Sequence, residues 1–511
     1  MTRRRPPAVL LGLGLTAWGA MLASAHAQDV DGRATPAPLR LSTSASLTET
    51  LTDNRRLTRD AQADAITDAR ANVHALLNSA RVRGFFDYGL SGLVHARESS
   101  LNDVRHALAT AVTSELVERR GFVDVRGSVQ QNSRSAFGTQ SVSRTRGDAN
   151  RVETASGSVS PYWRGRIGRL ADVEARYSLA ATRSRGTDAG ENTTRTGLLN
   201  VGRDFGRSSM WSLQALHQNV DYTLGRDTVL QRVEGTLGTA LHPDLFTALT
   251  AGSESTDLAT IQRKRRATYG LQARWTPSER TQAQAMVRRS FFGNAHAVSV
   301  THRTPRTAWS FNATRDLSSG QGQAVVRLGS AYELLFQQFA SIEPDPLRRD
   351  VIVRNFLALR GIDPELDVRL GLLVSAVTLR SDRSLAFALV GRRVTVTMLL
   401  SRDETTRLSS LDNAPALGDL LSDSRVRQNG VSLNVSHRLT STAALDLAAA
   451  WKRTQGDTTR TETTLKSALL TWSNQLSARS TVSLSLRHAE FESTTNPYDE
   501  NAVLATLSRR F

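Results

Sequence analysis

The feature that most constrains this chain is an alternation of apolar and polar residues with a period of two. From Val82 to Arg97, one face of an extended chain carries Val82, Gly84, Phe86, Tyr88, Leu90, Gly92, Val94 and Ala96. The other carries Arg83, Asp87, Ser91, His95 and Arg97. A helix would scatter these two sets, whereas a strand separates them. At 16 residues the run is far longer than an ordinary globular strand of about 5 or 6. A tilted membrane strand needs about 9 to 11 residues in lipid alone.

The pattern recurs. Val123, Val125, Gly127 and Val129 alternate with Asp124, Arg126, Ser128 and Gln130. Ala171 to Ala181 alternates with Asp172, Glu174, Arg176 and Ser178. Ala267 to Trp275 alternates with Arg266, Thr268, Gln272 and Arg274, and Val431, Leu433 and Val435 with Ser432, Asn434 and Ser436. One apolar face fits either the core side of a soluble sandwich or the lipid side of a barrel. The links separate the two. Tight links at Asn78–Arg81, Glu118–Arg120, Phe205–Arg207, His242–Asp244, Thr276–Arg280 and Leu439–Thr442 take turns with longer polar ones. The longer ones are Ser99–Asp103, Gln131–Asn150, Ser184–Glu191, Ser253–Arg265, Arg402–Gln428, Arg453–Thr461 and Glu490–Glu500. Short periplasmic turns alternating with long outer loops are the arrangement of outer-membrane barrels.

Composition agrees. A mean hydropathy of −0.32 excludes a polytopic helical membrane protein, which needs repeated apolar runs of about 20 residues. Barrel strands average out as hydrophilic. With no cysteine, zinc-finger, iron–sulfur, thiol-nucleophile and disulfide-framework chemistries are excluded.

The N-terminus reads as an address. Arg3-Arg4-Arg5 precede an apolar run from Ala8 to Ala23, and Ala25-His26-Ala27 is a small-x-small site. This predicts a secretory signal peptide over 1–27, cut between Ala27 and Gln28, and a barrel over 28–511. Export removes the usual meaning of a net charge of +17, so no nucleic-acid partner is expected. The expected partners are outer-membrane lipid and lipopolysaccharide. The chain also ends on an alternating strand closed by Phe511, the kind of terminal aromatic that bacterial barrels present to their assembly machinery.

One stretch breaks the period. Ala331–Ala340 and Leu347–Arg360 read as helices, the second with Asp345 as N-cap, Pro346 at its first position and Gly361 past its end. Val351, Ile352, Asn355, Phe356 and Leu359 share one face, with Arg348, Arg349 and Arg354 off it. A helical insert over 331–361 cannot continue a barrel wall. It must sit in the periplasm, in the lumen as a plug, or as an outer cap, and counting strands from both ends favours the periplasmic side. The fold class is therefore an all-β, large transmembrane antiparallel barrel of about 22 strands, in a range of roughly 18 to 24, with a small helical insert. A barrel this wide leaves a lumen.

Several stretches together resemble a known family. They are Thr52-Asp53-Asn54, Phe85-Phe86-Asp87-Tyr88-Gly89-Leu90-Ser91-Gly92, Ser158-Val159-Ser160-Pro161-Tyr162-Trp163, Pro344-Asp345-Pro346-Leu347-Arg348-Arg349 with Val353, Phe356-Leu357 and Gly361, and Tyr498-Asp499-Glu500-Asn501 leading to Phe511. Their order and spacing over nearly the whole exported chain resemble the outer-membrane β-barrel family associated with the PEP-CTERM/exosortase system. The resemblance implies company with extracellular-polysaccharide genes and a role in exopolysaccharide export or biofilm matrix assembly. It brings no residue-level activity.

Other chemistry is sparse. No H-E-x-x-H, G-x-S-x-G or P-loop spacing occurs, so no cofactor, metal or catalytic constellation is expected. Arginine is the one chemical theme, since only three of the 65 basic residues are lysines. Arg83, Arg126, Arg176 and Arg274 fall on polar strand faces, and Arg70 on a less periodic one, so all five are candidate lumen-lining residues. A cationic lumen would favour anionic solutes such as an acidic polysaccharide. Asp87, Asp124, Asp172 and Glu174 share those faces, however, and cross-strand pairing would cancel part of the charge. The sequence thus leaves three readings: a passive conduit or assembly component for polysaccharide, a structural or adhesive barrel without transport, and a rim enzyme.

Overall fold

The computed structural model describes residues 38–142, 150–186, 191–206, 208–224, 226–258, 260, 262–318, 336, 349, 353, 377–408, 424–457 and 461–511. The chain divides into two units, Met1–Pro38 and Leu39–Phe511. Of the first only Pro38 is described, so Ala27 and Gln28 lie outside the described residues.

The second unit is built of strands. In chain order these are β1 (Leu39–Thr52), β2 (Asp64–Asn78), β3 (Val82–His95), β4 (Asp103–Val117), β5 (Gly121–Ser133), β6 (Arg151–Ile167), β7 (Ala171–Ser184) and β8 (Asn192–Asp204). They continue as β9 (Ser209–Tyr222), β10 (Thr228–His242), β11 (Leu245–Thr256), β12 (Lys264–Ser278), β13 (Thr281–Ser290), β14 (Gly293–Arg303) and β15 (Thr307–Ser318). The last are β16 (Thr378–Val390), β17 (Val394–Arg407), β18 (Arg425–Arg438), β19 (Ala443–Gly456), β20 (Glu462–Gln475), β21 (Ser480–Ser493) and β22 (Tyr498–Arg510). Each pairs antiparallel with its chain neighbours, and β1 pairs with β22 over Ser44–Thr52 against Arg510–Ala502. The 22-stranded sheet is therefore closed. Closure leaves no edge whose N–H and C=O groups would face lipid unpaired.

The alternation read from the sequence sorts the side chains between two surfaces. Leu41, Leu47, Leu90, Val125, Leu179, Leu213, Leu237, Leu249, Leu271, Leu486 and Leu507 are exposed, up to 70% for Leu237. Strand register links them all to one face. The opposite, concave face carries the buried polar groups, among them Asp64, Glu254, Arg487 and Glu500. Exposed leucine and valine on a convex wall belong against hydrocarbon.

Links fall into two sets. At the end bearing Leu39 and Phe511, the strands are joined by 79–81, 118–120, 168–170, 205–208, 243–244, 279–280, 304–306, 391–393, 439–442 and 476–479. At the other end they are joined by 53–63, 96–102, 134–150, 185–191, 223–227, 257–263, 291–292, 319–377, 408–424, 457–461 and 494–497. We call these the short-link and long-link ends. Residues 291–292 are the exception, a two-residue turn at the long-link end.

Two expectations are corrected here. The 319–377 link leaves β15 and enters β16 at the long-link end, whereas the strand count favoured the end with the short turns; the plug and the outer cap, the other placements the sequence leaves open, are both compatible with that end. That count missed turns such as 168–170 and 291–292, and each missed turn reverses strand direction. Within the link, Phe336, Arg349 and Val353 are helical, and the Arg349 guanidinium lies 4.8 Å from the centre of the Phe336 ring. Asp345, Pro346, Phe356 and Gly361 lie outside the described residues. Second, several polar stretches read as loop are strand: Gln131–Ser133, Ser253–Thr256, Arg402–Arg407 and Arg425–Gln428. The wall continues past the apolar belt, where neither face is apolar and alternation disappears while the hydrogen-bonded ladder persists.

Candidate functional site

The candidate site is the inner wall. Each strand contributes alternate residues to it, and neighbouring strands bring opposite charges level. Near the short-link end of β5–β7, Arg176 Nη1 donates to Asp124 Oδ2 at 2.7 Å and Arg176 Nε to Glu174 Oε1 at 3.2 Å. Arg164 Nε donates to Glu174 at 2.8 Å, and the Thr113 hydroxyl to Asp124 at 2.8 Å. Both guanidiniums stand over the Tyr162 ring, at 3.9 Å for Arg176 and 4.9 Å for Arg164.

A second network spans β10, β11, β13 and β15. Arg232 donates twice to Glu254, at 2.9 and 2.7 Å, and Ser290 Oγ donates to the other Glu254 oxygen at 2.8 Å. Arg288 lies 3.5 Å from Glu234 and 3.6 Å from Asp316. A cavity beside it is lined by Gln218, Leu230, Arg232, Asp316 and Val377. On β16 and β17, Arg380 bonds Asp403 and lies 3.1 Å from Asp382. On β2 and β3, His95 Nδ1 lies 3.1 Å from Asp64 Oδ2, and His74 bonds Asp87. Among the described residues neither imidazole bonds a serine or threonine hydroxyl, and no group of three His, Asp or Glu is placed to hold a metal.

The five arginines picked from the sequence all lie on this inner face, but they differ in company. Register places them opposite the exposed apolar set. Arg176 is held by two carboxylates. Arg70 lies 3.8 Å from Asp68. Arg274 stacks 5.3 Å from the Phe246 ring centre. Arg83 and Arg126 are exposed and make no ion pair among the described residues. Sequence reading missed the Arg232, Arg288 and Arg380 networks. The signal was present as opposite charges two residues apart, as in Arg232/Glu234 and Arg380/Asp382. Such spacing puts both charges on one strand face.

Two of the stretches that carried the family resemblance, Thr52-Asp53-Asn54 and Tyr498-Asp499-Glu500-Asn501, meet at the closure seam. Asp53 N–H donates to Asn501 O at 3.1 Å. Asn501 returns two bonds to the Asp53 carboxylate, at 2.8 Å from its backbone and 2.9 Å from its side chain. Asn54 Nδ2 donates to Asp499 O at 2.9 Å, and the Thr52 hydroxyl to Glu500 Oε1 at 2.9 Å. Arg487 completes the clasp, 2.9 Å from Glu500, whose side chain is 1% exposed. These residues fasten the first strand to the last.

The outer surface adds a belt. Trp163, Trp211, Trp275, Trp309 and Trp472 all point outward, each within four residues of the short-link end of its strand. Trp309 packs on Phe387 with ring centres 4.4 Å apart. Such aromatics mark a membrane–water boundary. The chain folds as an outer-membrane-type β-barrel. No family model matches it, and no curated protein does. Among solved structures it is similar to the FrpB iron transporter from Neisseria meningitidis in its apoprotein form, at 9% identity and a TM-score of 0.47, over 92% of this chain and 81% of that one. The siderophore receptor PirA from Acinetobacter baumannii matches at 8% identity and 0.46, over 95% and 81%. OccK2 (OpdF) from Pseudomonas aeruginosa matches at 9% and 0.33, over 92% and 98%.

Proposed function

We propose that this chain is a passive outer-membrane conduit for polar solutes, with its short-link end in the periplasm and its long-link end outside. The observation that carries this reading is the polarity of the inner face of a closed 22-stranded wall. By strand spacing and tilt such a wall is roughly 40 Å across, too wide for its own side chains to fill. A polar inner face suits contact with water or a hydrated solute.

The solute we propose is an acidic extracellular polysaccharide. Its support is the resemblance to the PEP-CTERM-associated barrels together with the inner-wall arginines. Of the five candidate arginines, ion pairing at Arg70 and Arg176 leaves Arg83, Arg126 and the ring-stacked Arg274 for a passing anion to meet, so anion preference is modest. In a planar bilayer, Arg83→Gln with Arg126→Gln moves the reversal potential toward cation selectivity and leaves the conductance of the order of the wild type. An unchanged reversal potential removes the acidic-solute reading. Outer-membrane lipid and the barrel-assembly machinery, which would engage the strand ending at Phe511, are the other partners proposed. Phe511 is exposed, and its N–H donates to Thr43 O at 2.9 Å.

A further inference from the structure

The outward faces of β15–β18 carry a charge imbalance that transport does not use. Arg383 and Arg402 stand directly opposite one another across β16 and β17, both exposed. On the same face and level with Arg383 is Ala313 of β15, and two residues further along is Arg315. Arg425 and Arg427 of β18 complete the group. Among the described residues of β14–β18, Glu404 is the only carboxylate on this face. It is already shared by Arg425 at 3.3 Å and Arg427 at 3.4 Å. Arg315, Arg383 and Arg402 form no ion pair among the described residues.

Like charges directly opposed across two strands are destabilising, and an anion held between them would relieve that repulsion. The row next to the arginines says where the anion sits. Phe311, Leu385, Leu400 and Val431 are mutually paired one side-chain step, about 7 Å, nearer the barrel's middle. The cations thus sit at the upper margin of the apolar belt, at the long-link end. A soluble anion would gain nothing from that border, whereas a lipid phosphate would lay its acyl chains on Phe311, Leu385 and Leu400. Guanidinium forks suit phosphate because they donate two parallel hydrogen bonds.

We infer that Arg315, Arg383 and Arg402 form a binding site for the phosphate groups of a phosphorylated glycolipid of the outer leaflet. This rests on the orientation proposed above, but not on conduction. The test therefore measures lipid binding by the refolded full chain in neutral detergent, without a bilayer or a current. The probe is bisphosphorylated lipid A, titrated into wild type, Arg383→Gln/Arg402→Gln and a control, Arg183→Gln/Arg195→Gln. The control removes two outward arginines that already lie beside Glu191 and Asp221. Heat-modifiable migration on gels verifies that each variant is folded before titration.

The expected result is at least a tenfold weaker affinity for the Arg383/Arg402 variant and wild-type affinity for the control. Dephosphorylated lipid A should bind no better to wild type than to the variant, and millimolar inorganic phosphate should not compete. Equal affinity of the Arg383/Arg402 variant and wild type overturns the site. So does full competition by inorganic phosphate, which would make it a free-anion site. Phosphatidylglycerol binding as tightly as lipid A overturns the glycolipid assignment and, with it, the orientation. A silent pore with intact lipid A binding contradicts only the conduit.

Discussion

At the scale of residues, the most consequential group is Glu500. It is fully buried at the seam, accepts from the Thr52 hydroxyl and pairs with Arg487, itself buried. Removing one partner of a buried pair strands the other charge, at a cost of about 3–5 kcal/mol. Glu500→Gln should therefore lower the urea midpoint of the refolded barrel, whereas Arg166→Gln, on an exposed pair with Asp172, should change the unfolding free energy by less than about 1 kcal/mol and barely move the midpoint. Equal midpoints for the two variants would show that the clasp does not fasten the seam. Gly165 makes a similar point about packing. The Trp163 ring lies over it so closely that an added Cβ would come 2.0 Å from a ring carbon. Gly165→Ala must turn that tryptophan away from the wall, and a red shift in tryptophan emission on Trp163→Phe subtraction would report it. Period two sufficed to assign Arg83, Arg126, Arg176 and Arg274 to the polar faces, because strand geometry makes facing a matter of parity. Their pairing was not legible. Which carboxylate stands level with Arg176 depends on register between strands, and register is set by turns whose lengths composition blurs.

At the scale of elements, the same dependence explains both what was read and what was misread. The wide spans with one apolar face, β3 and β7, were plain in the sequence because lipid demands that face. The polar extensions Arg402–Arg407 and Arg425–Gln428 were read as loop because, above the lipid, nothing selects for alternation. The 319–377 link was placed at the wrong end for a related reason: the count passed over tight turns, and parity carries every omission forward. Strand direction now puts both ends of that link with the long ones. An epitope inserted at 319–377 should be reached by antibody on intact cells. One inserted at 391–393 should need a permeabilised outer membrane. The reverse pattern would invert the proposed orientation of the barrel.

At the scale of the whole molecule, closure is what makes the chain a membrane protein. The first and last strands pair through Thr48–Thr506 and the neighbouring ladder positions, so every strand finds two neighbours. One surface is then free to be apolar and the other to be polar. The sequence could state the existence of those two surfaces and a strand number near 22, because each strand repeats the same compromise. It could not state how far the inner charges cancel, which is a property of the assembled wall. Single-channel recording of the refolded chain in a planar bilayer tests the central claim most directly. A conducting pore with modest anion preference is the predicted result. If wild type is closed, deletion of 331–361 should open it, which would make that segment a plug. Silence in both proteins would contradict the conduit and leave a barrel whose work is done on its outer surface.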